Sequence, residues 1–271
     1  MAFAIYLRML SLRREALARE EIDSTYVDVH AHLEMMKDPQ RILSEAYRSG
    51  VKKVIAVSIN MDSYERTRKI RSDEVRVYPS VGIHPWEALG HSHEIDSALE
   101  EVRTSKFVGE IGLDHYFTGV RAYEAQFKVF DAFLQACDGT QKILNIHSVG
   151  AEKQILKLLQ KYDLSHVNMH WYDPIDRMKP LELVSDFIEL GCFMSIPPAV
   201  LTGRSLRKLV RLVPMENLLT ETDTHPNVKY GEVQSAPKMV ATVVSEIGKI
   251  KGVRKEEVEK AISQNFDRLV G

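Results

Sequence analysis

The chain has 271 residues, 44% hydrophobic and 27% charged, which are the proportions of an ordinary globular protein at a length that one barrel domain fills. A formal net charge of −2 excludes a general attraction for polyanions, so any nucleic-acid contact must come from a local patch or from metal ions. No apolar run reaches membrane-spanning length, and Cys137 and Cys192 sit in apolar contexts that predict free thiols in a reducing, cytoplasmic setting.

Residues 1–24 mix apolar residues with arginines and acids, and Arg8 interrupts the one stretch that could form a signal core. The segment is expected to be a helical extension. Residues 25–271 are expected to form a single domain, with no Pro/Gly/Ser-rich linker and no internal repeat.

Eight β-rich runs follow in order: TYVDVHA (25–31), KKVIAVSI (52–59), VRVYPSVGI (75–83), KFVGEIGL (106–113), KILNIHS (142–148), HVNMHW (166–171), CFMSIPP (192–198) and NLLTETD (217–223). Several are almost wholly apolar, as parallel strands covered by helices must be. Helical patterns alternate with them. Tyr123, Phe127, Phe130, Leu134 and Cys137 recur at spacings of three and four, and so do Ile155, Leu158, Leu159 and Tyr162. VRKEEVEKAISQNFDRLV at the C-terminus reads as further helix. The alternation predicts an α/β fold, a (β/α)8 TIM barrel, with a doubly wound open sheet as runner-up.

A barrel presents its chemistry at the C-terminal ends of its strands. Read there, the chain offers His30 and His32 from the first strand, His84 from the third, and Glu110 with Asp114 from the fourth. His147, His170 and Asp223 follow from the fifth, sixth and eighth. Residues two apart on a strand share a face, so His30 and His32 present two imidazoles side by side. Four histidines (His30, His32, His147, His170) and two carboxylates (Glu110, Asp223) exceed the needs of one tetrahedral ion and suit two divalent ions such as Mg, Zn or Mn. No thiolate is offered, which disfavours a structural zinc site. His91 and His93 in GHSHE repeat the two-apart spacing, but their neighbours predict a solvated loop. His166, at the start of a strand, is expected to be structural. His225 either touches substrate or caps a loop, and Asp28 is expected to orient an imidazole through its outer nitrogen.

DVHAHL, VGIHPW, VGEIGLDHY, NIHS, ELGCFMSI, LLTETD and NFDRL together resemble the TatD family of metal-dependent hydrolases, within the amidohydrolase superfamily, from about residue 26 to the C-terminus. Glu110 stands at the fourth-strand position where many other amidohydrolases use a modified lysine. The resemblance implies that His30, His32 and Asp223 hold one ion and that His147 and His170 hold the other. It also implies that Glu110 bridges them and that His84 contacts phosphate. The activities it implies are nucleolytic, DNase and 3′-to-5′ exonuclease action with magnesium or other divalent ions.

Three departures lie beside the expected pocket. Val149 follows His147-Ser148 where the family usually has arginine, Trp171 and Tyr172 follow His170, and Thr224-His225-Pro226 follows Asp223.

The expected reaction is metal-assisted hydrolysis of phosphodiesters in single-stranded DNA or RNA, with Asp223 as general base and Glu110 beside it. His84, Asp114, Trp171 or Tyr172, and His225 are the expected substrate contacts. Two other readings compete with it: an amide, ester or lactone hydrolase, and a non-catalytic metal-binding interaction protein. No membrane partner is expected, and the assembly is expected to be a monomer or small homo-oligomer.

Overall fold

The structure is a computed structural model and describes residues 25–173 and 181–271. The expected helical extension over residues 1–24 lies outside the described residues. Eight parallel strands follow one another around the molecule: β1 (Tyr26–Ala31), β2 (Val51–Val57), β3 (Arg76–Ser80), β4 (Phe107–Asp114), β5 (Thr140–Val149), β6 (Leu164–Met169), β7 (Phe193–Ile196) and β8 (Leu218–Thr220). They pair in sequence order as a three-stranded sheet, β1-β2-β3, and a five-stranded sheet, β4 to β8. Isolated parallel bridges join the sheets on both sides. Gly109 N donates to Val81 O at 2.7 Å on one side, and Asp223 N donates to His30 O at 2.9 Å on the other. The fold is the expected (β/α)8 barrel rather than an open sheet.

Each strand is apolar because it is covered twice, by the barrel interior and by the helices outside. β1 and β4 are buried along their whole length. The helices are α1 (Pro39–Arg48), α2 (Met61–Thr67), α3 (Ala88–His91), α4 (Ile95–Thr104), α5 (Tyr123–Cys137), α6 (Glu152–Lys161), α7 (Val184–Glu189), α8 (Arg204–Leu212), α9 (Val240–Lys251) and α10 (Lys255–Val270). The first two start on side-chain caps, Asp38 accepting from Arg41 N and Asn60 from Ser63 N. Helix α5 seats Phe130, Phe133 and Leu134 in the core, each stabilising the fold by about 1.5–3 kcal/mol on full burial.

Glycine sets how closely β4 and β5 approach. Gly112 adopts φ +148°, and a Cβ there would lie 2.0 Å from His147 O. That close approach carries the Glu110 side chain alongside His147.

Several boundaries differ from expectation. β3 ends at Ser80 and β8 at Thr220, so His84 and Asp223 stand on loops just past their strands. GHSHE is helical, α3 running into a 3-10 turn at Ser92–Glu94, rather than a solvated loop. After β8 the chain forms a small hairpin, β9 (Lys229–Tyr230) with β10 (Val233–Gln234). Among the described residues no helix is long and apolar enough to cross a membrane.

Candidate metal centre

Glu110 is at the middle of the site. Its side chain is 2% exposed, and its two oxygens face two different groups of donors. Oε2 lies 3.3 Å from His30 Nε2 and 3.2 Å from His32 Nε2, and Asp223 Oδ1 is 3.7 and 3.5 Å from the same nitrogens. Oε1 lies 2.9 Å from His147 Nδ1, 3.2 Å from His84 Nε2 and 3.8 Å from His170 Nε2. The rings of His30 and His170 stack at 3.5 Å and connect the two groups.

The outer nitrogens decide what the inner ones can do. Asn145 donates its amide to Val29 O at 2.6 Å, which leaves its Oδ1 to accept from His30 Nδ1 at 2.8 Å. His170 Nδ1 donates to Glu221 Oε2 at 2.8 Å, and His147 Nε2 donates to Asp114 Oδ2 at 3.0 Å. Each of these imidazoles therefore turns its inner nitrogen towards the centre, where it becomes a metal ligand when that nitrogen gives up its proton. His84 is wired the other way. Its Nδ1 accepts from Trp86 N at 3.1 Å, so the neutral ring carries its proton on Nε2 and offers a donor instead of a ligand atom.

The resulting arrangement needs positive charge. Burial opposes charge on His147, but it stands between two carboxylates, 2.9 Å from Glu110 Oε1 and 3.0 Å from Asp114 Oδ2, which raise its pKa, so positive charge is favoured there, carried by a proton or by a metal ion. Burial disfavours the charged form of His30, yet Glu110 and Asp223 outweigh it and hold its pKa up at about 10. Burial likewise opposes ionisation of Glu110, but His84, His30 and His147 hold its carboxyl well below the usual carboxylate range. An ionised carboxylate this deeply buried costs several kcal/mol without such partners. Imidazole and carboxylate donors without thiolate fit divalent metal ions.

Two residues beside the centre have left-handed backbones that only glycine adopts freely, Trp171 at φ 36° and Asp223 at φ 46°. The mouth is a cavity of about 490 Å³, lined by His84, Trp86, Asp223, His225 and Asn227 among others. Burial keeps the pKa values of His84 and His225 below the ordinary histidine value.

Three expectations need correction. Asp28 does not orient an imidazole. Its carboxylate accepts from the backbone of His30 and from the backbone and hydroxyl of Thr222, which joins β1 to the end of β8, and Asn145 orients His30 instead. Asp114 is not a substrate contact. It is fully buried, Oδ2 accepting from His147 and Trp86 Nε1 and Oδ1 from the backbone of Tyr116 and Phe117. Burial works against its ionisation, but hydrogen bonds from His147 and Trp86 bring its pKa down to about 2. Tyr172 cannot stack on a substrate because it is buried against Phe187. Trp171 is half-buried, its ring 6.3 Å from that of Tyr230.

Sequence reasoning passed over two features. Glu221 is fully buried and accepts from His170, Ser195 Oγ and Trp171 N. Burial pushes its carboxyl above the usual range, against the His30 charge and the Ser195 hydroxyl. Trp86 lines the mouth and is 56% exposed, and the ring of Phe117, itself 64% exposed, lies 6.1 Å from it. Trp86 ends the motif VGIHPW and Phe117 directly follows VGEIGLDHY, and an aromatic residue two or three positions from His84 or Asp114 is the available signal.

A family model described as TatD related DNase matches residues 27–271, nearly the whole chain. The chain belongs to the TatD related DNase family. It resembles the putative deoxyribonuclease tatdn3 of Danio rerio, 27% identical over 261 residues, covering 90% of this chain and 96% of that one. Human deoxyribonuclease TATDN3 is 26% identical over 262 residues, covering 90% and 93%. The crystal structure of the TatD homologue YJJV from Escherichia coli K12 shares the fold with TM-score 0.78 at 22% identity, covering 90% of this chain and 97% of that one. As a TatD family member the protein is a metal-dependent hydrolase acting on ester bonds.

Proposed function

We propose that this TatD protein is a nuclease that hydrolyses phosphodiesters in single-stranded DNA or RNA with two divalent ions, in the cytoplasm, as a monomer or small homo-oligomer. The observation that carries the reading is the division of Glu110, which turns one oxygen to His30, His32 and Asp223 and the other to His147 and His170. Ions held by these two groups would supply a water of lowered pKa and neutralise charge on the phosphoryl oxygens.

The chain's own residues account for the remaining steps. Asp223 reaches the mouth, its side chain 15% exposed, and takes the proton from the attacking water. His84 donates through Nε2 to a phosphoryl oxygen and orients it. Trp86 and Phe117 offer faces on which a base stacks whatever its identity, which suits single strands. The small net charge fits a short or single-stranded substrate better than a wrapped duplex.

The test is metal analysis of the purified protein, followed by a divalent-ion panel on 3′- and 5′-labelled single-stranded DNA and RNA. Stepwise release of nucleotides is expected, with Asp223→Asn slower by about a hundredfold or more at an unchanged melting temperature. Inertness towards every oligonucleotide, or full activity of Asp223→Asn, would overturn the proposal.

A further inference from the structure

Two turns of the same composition flank the metal centre. His84-Pro85-Trp86 follows β3, and His225-Pro226-Asn227 follows β8. In each, the backbone N–H two residues beyond the histidine donates to its Nδ1, Trp86 N and Asn227 N both at 3.1 Å. The intervening proline has no N–H, so that bond has no competitor from the position between. A neutral imidazole that accepts on Nδ1 carries its proton on Nε2. His225 therefore has the same tautomer as His84.

The two rings stand at opposite groups of the centre. His84 packs against His147, ring centroids 4.7 Å apart, and His225 meets His32 edge-on at 5.8 Å. Both line the one cavity. The loop under His225 is held by Gln234 of the hairpin, whose amide donates to Val228 O at 2.8 Å and to His225 O.

No lysine or arginine stands among the described residues that line this cavity, and the position after Ser148 is the buried Val149. A phosphoryl group entering it meets imidazole N–H donors where a guanidinium commonly serves.

We propose that His225 is a second substrate-binding residue, paired with His84, and that the two Nε2–H groups hold the phosphoryl oxygens from the His32 and His147 sides of the centre. The inference rests on the phosphodiesterase reading above and adds a donor to it.

Inorganic phosphate is the probe, titrated calorimetrically into the full-length, metal-loaded protein and assayed as an inhibitor of oligonucleotide cleavage. His225→Ala should weaken phosphate binding about tenfold, with the loss of cleavage falling on KM more than on kcat. His225→Gln, which restores an N–H donor, should recover most of the affinity. Nitrogen-15 NMR of the histidine side chains should find both His84 and His225 as the Nε2–H tautomer. Equal phosphate affinity in wild type and His225→Ala, or an Nδ1–H tautomer at His225, would overturn the pairing and leave the phosphodiesterase reading standing. A wild-type protein that neither binds phosphate nor cleaves oligonucleotides would overturn both.

Discussion

The indole N–H of Trp86 donates to Asp114 Oδ2 at 2.7 Å, and the same oxygen takes the outer N–H of His147 at 3.0 Å. An aromatic ring exposed at the mouth is thus two hydrogen bonds from the inner nitrogen that faces Glu110. The ring has two separable roles, its face for substrate and its N–H for the ligand.

Trp86→Phe keeps a ring and loses the N–H. Metal affinity should fall by about tenfold, since partners of this kind typically contribute that much or more, while KM for an oligonucleotide changes little at saturating metal. Trp86→Ala should lose both. Competition with a metallochromic chelator and steady-state kinetics would separate the two losses, and identical behaviour of the two variants would refute the division of roles.

Glu221 supports His170 as Asp114 supports His147. Replacing it with Gln keeps the volume but weakens acceptance from His170 Nδ1, Ser195 Oγ and Trp171 N. Metal affinity should drop about 10–100-fold with the far-ultraviolet circular dichroism unchanged. Wild-type affinity in this variant would show that Glu221 plays no part in holding His170.

Gly112→Ala tests the approach of β4 to β5. A Cβ at φ +148° and 2.0 Å from His147 O combines backbone strain with overpacking, together at least about 3 kcal/mol. Urea denaturation should show a loss of that size. A loss under about 1 kcal/mol would mean that the strands separate more easily than their packing indicates.

Both cysteines are buried, and burial pushes each thiol up to about 12. At pH 8 almost no thiolate is present in the folded state. Ellman's reagent should label neither thiol of the native protein over minutes and both after unfolding in urea. Rapid labelling of one thiol in the native state would place that residue in a more open part of the fold.

The strands were legible because each of β1 and β4 is buried on both faces, which makes YVDVHA and FVGEIGL apolar apart from Asp28, His30 and Glu110. The inward-facing ligands stood out against that background because His and Glu have no other reason to end apolar strands. What orients the ligands was much less visible. Asn145 and Ser195 lie within β5 and β7 and look like ordinary strand residues until the barrel brings them to His30 and Glu221. Asp28 precedes His30 by two positions and so resembled its partner, yet its carboxylate reaches across to Thr222. The β9–β10 hairpin has two residues per strand, too short for a period-2 pattern to register.

The bridges between the two sheets have a consequence for how this enzyme fails. The group at Glu110 Oε2 takes His30 and His32 from the three-stranded side and Glu110 and Asp223 from the five-stranded side, whereas Glu110, His147 and His170 at the other oxygen all belong to the five-stranded side. Only the first group spans a join. Opening a join would therefore dismantle the first group and leave the second together, so a barrel opened there should lose turnover before it loses all capacity for an ion.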